Sequence, residues 1–115
     1  MRIRIQAILA AMRMVPLLRS IATEIKERTR ALAELEARHK ALARERRAHS
    51  VEVWEIEARL IDERRELRRV EKELARLGWY VDECYPQPVL LRCKASAPGL
   101  TWRLDDASPR RAPSS

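Results

Sequence analysis

Residues 18–81 read LRSIATEIKERTRALAELEARHKALARERRAHSVEVWEIEARLIDERRELRRVEKELARLGWYV. Counting in sevens from Leu18 gives Leu18, Ile25, Leu32, His39, Arg46, Val53, Leu60, Leu67, Leu74 and Val81. Counting in sevens from Ile21 gives Ile21, Arg28, Leu35, Leu42, His49, Ile56, Glu63, Val70 and Leu77. Fourteen of these nineteen positions are aliphatic, and the phase holds across all 64 residues. A repeat of seven with two apolar places per repeat is the seam of a coiled coil. Neither Gly nor Pro occurs between Leu17 and Leu77. Glu24→Arg28, Glu34→Arg38, Glu36→Lys40 and Glu55→Arg59 are spaced for favourable pairing one turn apart. The stretch is helical.

Five seam positions are polar: Arg28, His39, Arg46, His49 and Glu63. One continuous helix of roughly 96 Å, at about 1.5 Å per residue, fits the unbroken phase and pairs with a second chain. In a parallel dimer in register, however, each polar residue would face its own copy, and desolvated like charges oppose association. A chain folding back near Arg44–Ser50 sets Arg46 and His49 at a solvated bend, where Ser50 caps the second helix. The intramolecular hairpin is the favoured reading. An antiparallel dimer of long helices also avoids self-facing charges and stays open.

Working outward, Ile5, Ile8, Met12 and Val15 form a stripe one residue out of phase with the seam, and Pro16 stands where the phase changes. Proline lacks an N–H and tolerates a kink or a fresh helix start. This predicts a short helix over 5–14 set at an angle, then helices over 16–47 and 50–77. Gly78 suits the left-handed position after a helix, with Trp79 packing back on Leu74. The segment 79–104 holds three short β-compatible runs, Trp79 to Cys84, Val89 to Ala95 and Leu100 to Leu104. Pro86-Gln87-Pro88 and Ser96-Ala97-Pro98-Gly99 punctuate them, as in a small β-hairpin or meander. Residues 107–115, rich in Pro, Arg and Ser, read as a disordered tail. The expected fold is therefore mainly α: a long antiparallel, coiled-coil-like helical hairpin forming one domain over 1–106.

Composition agrees. Of 115 residues 36% are charged, so little is left for a thick core, and the balance of 24 basic to 17 acidic residues gives +7. No apolar run approaches the roughly 20 residues of a membrane span. Residues 2–18 outline a signal peptide only crudely, because Arg13 interrupts the apolar stretch and Pro16 follows it. The expectation is a cytoplasmic protein. Two cysteines are too few for a disulfide framework. With residues 85 and 89 facing each other across the turn, Cys93 lies opposite Val81, and strand alternation puts Cys84 and Cys93 on opposite faces. Both are read as free thiols, Cys93 as a small core residue.

Arg13-Met14-Val15-Pro16-Leu17-Leu18-Arg19-Ser20-Ile21, the long charged helical region and Leu77-Gly78 together resemble an uncharacterised bacterial domain-of-unknown-function family (DUF 2203-like). The resemblance implies two long helices and then a β-rich end with a cysteine-bearing strand and a closing Trp segment. Val89 to Cys93 and Trp102-Arg103-Leu104-Asp105 are similar to those last two features. Ala10 and Met12 stand where that family has Glu and Asn before the proline, and Arg103 stands where it has His after its last Trp. The resemblance implies a fold and carries no activity.

Reactive clusters are sparse. Glu36 and His39 have the E-x-x-H spacing of di-metal bundles, but such a site needs a second copy and further carboxylates. No metal site, cofactor site or catalytic residue is assigned, and no small-molecule substrate is evident. Basic clusters occur at Arg44/Arg46/Arg47, at Arg64/Arg65/Arg68/Arg69 and at Arg110/Arg111. In the second, 64/68 and 65/69 are like-charge pairs one turn apart, a small cost tolerable for an anionic partner. Trp54 follows the seam residue Val53 and points away from the stripe; it covers the bend, docks the β segment or marks an interface, and packing within the chain is favoured. The sequence reads as a non-enzymatic scaffold with a protein partner or self-association. The alternative is a polyanion binder, with nucleic acid held by Arg64, Arg65, Arg68 and Arg69.

Overall fold

The computed structural model describes residues 2–45, 50–94 and 99–111, with side chains from residue 9 onward. Two helices pack against each other: α1, Arg2–Arg44, and α2, Val51–Arg76. Four short strands follow: β1, Trp79–Glu83; β2, Leu90–Cys93; β3, Leu100–Arg103; and β4, Arg110–Arg111. They form one antiparallel sheet in the order β1-β2-β3-β4.

The seam identified by sevens is the buried face. Leu18, Ile21, Ile25, Leu32, Leu35 and Leu42 of α1 are buried, as are Val53, Ile56, Leu60, Val70 and Leu74 of α2. Ion pairs between the helices occur in opposite order along the two helix axes: Glu24 with Arg69, Arg28 with Glu63, Arg38 with Glu52. The helices therefore run in opposite directions, and no single helix spans the heptad region. The longest dimension of the molecule is 62 Å. Ser50 caps α2 as expected, its hydroxyl accepting a hydrogen bond from the Val53 N–H at 3.2 Å. At the other end Gly78 takes φ of +86°, and its N–H bonds to the Ala75 carbonyl. Arg46 and His49 lie outside the described residues.

The separate helix over 5–14 is not found: α1 runs through Pro16 without interruption. The buried stripe explains why. Ala11, Val15, Leu18, Ala22 and Ile25 are all buried and alternate steps of four and three, so no change of phase occurs at the proline. Ala11 takes the place expected for Met12, which is exposed, while the side chains of Ile5 and Ile8 lie outside the described set. Pro16 itself is exposed, on the side away from the core, where the carbonyl it leaves unpartnered can meet water. The helix ends also shift slightly, to Arg44 rather than 47, and to 51–76 rather than 50–77.

The sheet covers one end of the helix pair. Trp79, Leu91, Leu100 and Trp102 are fully or almost fully buried and join Ala11 to Ile25 and Val70 to Leu74 in one core cluster. Trp79 thus packs in the same cluster as Leu74, as expected. Alternation puts Tyr80, Asp82, Arg92 and Thr101 on the opposite, wetter face, where Arg92 pairs with Asp82 at 3.0 Å. The indole N–H of Trp102 donates to the Asp106 carbonyl at 3.1 Å, and the Arg19 guanidinium lies over the same ring. The expected meander gains a strand. Residues 110–111, expected in a disordered tail, pair with Leu100 and Thr101, and Pro109 is buried. The Thr101 hydroxyl fixes the edge by donating to the Arg110 carbonyl at 3.3 Å.

The strand register also differs from expectation. Cys93 lies opposite Trp79 and Leu91 opposite Val81, with a bulge before Glu83↔Leu90. A bulge breaks strict alternation. Cys84 and Cys93 consequently both pack, half-buried, on the same core rather than on opposite faces, and both are free.

Candidate interaction surface

Beyond Arg28 and Glu63 the core divides. Leu32, Leu35, Leu42, Val53, Ile56 and Leu60 form a second cluster, made only of α1 and α2. The polar seam residues mark the division. Arg28 donates to Glu24 at 2.8 Å within α1 and to Glu63 at 3.1 Å across the seam. Arg69 extends the network to Glu66 at 2.8 Å, Glu73 at 2.7 Å and Glu24 at 3.0 Å. The bond to Glu24 and the neighbouring Glu63 raise the Arg28 pKa, and the bond from Arg69 lowers that of Glu66. Two residues that interrupt the heptads are thus each other's partner. That complementarity exists only when the helices are antiparallel.

Other seam-edge charges behave alike. Glu36 accepts from Arg64 at 3.4 Å, and His39 Nε2 lies 3.1 Å from a Glu57 carboxylate oxygen. Arg38 meets Glu52 rather than Glu34, and Glu36 meets Arg64 rather than Lys40. Of the four pairs expected within one helix, Glu24–Arg28 forms; cross-helix partners take Arg38 and Glu36, and Glu55–Arg59 is not among the ion pairs of the described residues. Glu36 and His39 sit beside Glu57 in an open depression, yet among the described residues no group of three or more His, Cys, Asp or Glu is placed to hold a metal ion. Burial pushes the Cys84 thiol pKa up, and the Glu71 carboxylate adds to the shift, opposite to what a nucleophilic thiolate needs.

The four arginines singled out in sequence fall into two kinds. Arg64 and Arg69 are engaged in the ion pairs above. Arg65 and Arg68 are exposed and form no ion pair among the described residues. All four remain exposed, two of them paired and two unpaired among the described residues. Trp54 departs further from expectation: it is 71% exposed rather than packed within the chain. Its reason is position, since Val53 and Ile56 beside it occupy the inward face. Val51 and Ile61, at 74% and 55% exposed, accompany it on α2. Val51 and Ile61 are both absent from the candidates the sequence offers, and Ile61 was the more legible of the two. It follows Trp54 by seven, two turns along the same face, a spacing that was there to be read.

Comparison with protein-family models, with curated proteins and with solved structures gives no match to this chain. Among the described residues, no helix is long and apolar enough to cross a membrane.

Proposed function

We propose that this protein is a non-enzymatic scaffold, a coiled-coil-like helical hairpin that presents the outer side of α2 to a protein partner in the bacterial cytoplasm. The observation that carries the reading is the exposure of Val51, Trp54 and Ile61 on a helix whose other face is fully occupied. Exposed large apolar side chains gathered on one face mark interaction sites more often than scattered ones do. Tryptophan is the residue type most enriched among those that dominate interface energy. The resemblance to the DUF 2203-like family belongs to this same reading. It rests on the sequence features given above.

Affinity purification of the intact protein beside its Trp54→Ala form tests the reading. A partner retained by the parent and lost from the variant supports it; a set of recovered proteins identical for both opposes it. The alternative, a polyanion binder, draws on Arg65 and Arg68, whose charges are unspent. It requires retention on nucleic acid that falls steeply as salt rises.

A further inference from the structure

The turns of α2 set Trp54, Ile61, Arg65, Arg68, Lys72 and Arg76 on one ridge, all within about 40° of a common line at about 100° per residue. The ridge lies opposite the buried Ile56, Leu60, Val70 and Leu74. Its side chains are exposed, and none of the four cations makes an ion pair among the described residues. No Asp or Glu of 51–76 falls on it. Of the acids flanking it, Glu57 meets His39 and Glu66 and Glu73 meet Arg69, while Asp62 and Glu71 are exposed to either side of the line. The ridge is also segregated along its length. Its first turns are apolar and its later turns cationic.

We propose that this ridge docks a helix of a partner protein whose contacting stripe is apolar at one end and carboxylate-rich at the other; the proposal rests on the interaction reading above. The cations recur about once per turn, near the 5.4 Å pitch of a helix, so carboxylates at spacings of three and four on a second helix can meet each of them in turn. Trp54 and Ile61 then bury against apolar residues at the far end, the pattern of helix-to-helix recognition. End-to-end segregation argues against a lipid surface, because a helix lying at a membrane needs its apolar stripe along the whole length, flanked by cations. A duplex backbone answers the cations but offers nothing to Trp54 and Ile61. The span from Trp54 to Arg76 is roughly 33 Å, enough for about six turns of a partner.

A photo-crosslinking residue placed in the full-length protein at Ala58, on the ridge, and separately at Ala37, on the outer side of α1, tests this in the native host. Crosslinked peptides are then sequenced. The expected result is crosslinking from position 58 to a helical segment with an apolar and an acidic half, abolished when Arg65, Arg68, Lys72 and Arg76 are all changed to Gln. Trp54→Ala, which leaves every charge in place, should weaken binding of a synthetic peptide copy of that segment by about tenfold or more. Crosslinks to protein from position 37 alone would overturn the docking ridge and the choice of α2 as the presented face, leaving only that the protein has a protein partner. A segment without acids, or nucleic acid or lipid recovered at position 58, would also overturn it. No protein crosslinked from either position would count against the interaction reading itself.

Discussion

The two ends of the helix pair are built from the same heptads but differ in what surrounds them. At the sheet-covered end α1 and α2 have a third layer, and Trp79, Trp102 and Leu91 are sealed inside. At the other end two helices alone bury Leu32 to Leu42 against Val53 to Leu60, and the flanks are closed by charged side chains such as Arg38 and Glu52. Arg28 and Glu63 stand between. The difference teaches that a two-helix seam yields a narrow ribbon of burial, whereas a small sheet converts the same ribbon into a core.

Truncating Trp102 to Ala should have the largest effect on stability, about 3–5 kcal/mol by denaturant titration, since it empties the three-layer core. Leu42→Ala, equally buried, removes a side chain from the two-layer end, where neighbouring helices can close in; a loss of about 2–3 kcal/mol is expected. Equal losses per atom removed would erase the distinction between the ends. A smaller effect tests the divide itself: a double-mutant cycle on Arg28→Ala and Glu63→Ala should return a coupling of about 1 kcal/mol, and none if the residues do not meet. Ser50→Ala should cost about 1 kcal/mol through the lost cap, read as a shifted denaturation midpoint.

The smallest effect is on pH. Glu66 has a lowered pKa in the folded state, so its contribution to stability is complete above the ordinary value of 4.5 and fades as pH falls through the lowered value. Removing Arg69 should flatten that acid limb. An unchanged acid profile in Arg69→Ala would mean that their contact contributes nothing.

Much of this was legible in the sequence because burial follows period. The seam residues, the Ser50 cap and the Gly78 stop are local chemistry and sit where the pattern put them. What escaped depends on partners distant along the chain. Nothing beside Arg28 announces Glu63, thirty-five residues away, until the direction of the second helix is known. Pro16 looked like a boundary because proline usually is one, yet packing of Ala11 and Val15 on the sheet-covered core carries the helix through it. The pairing of Arg110 and Arg111 was hidden by a composition typical of disorder. A turn one residue out of the expected register and a one-residue bulge before Glu83 together set Cys93 opposite Trp79, which no alternation rule foresees. Of the candidate site, the arginine count was readable, but which arginines are spent on glutamates was not.

One chain closes its own seam, with Arg28 answered by Glu63 of the same molecule. Small-angle scattering, with mass measured alongside and taken to the dilution where one chain is present, tests it most directly. A radius of gyration near 17.8 Å and a longest dimension near 62 Å are expected. A rod approaching about 96 Å, the length of 64 helical residues at about 1.5 Å each, would contradict it.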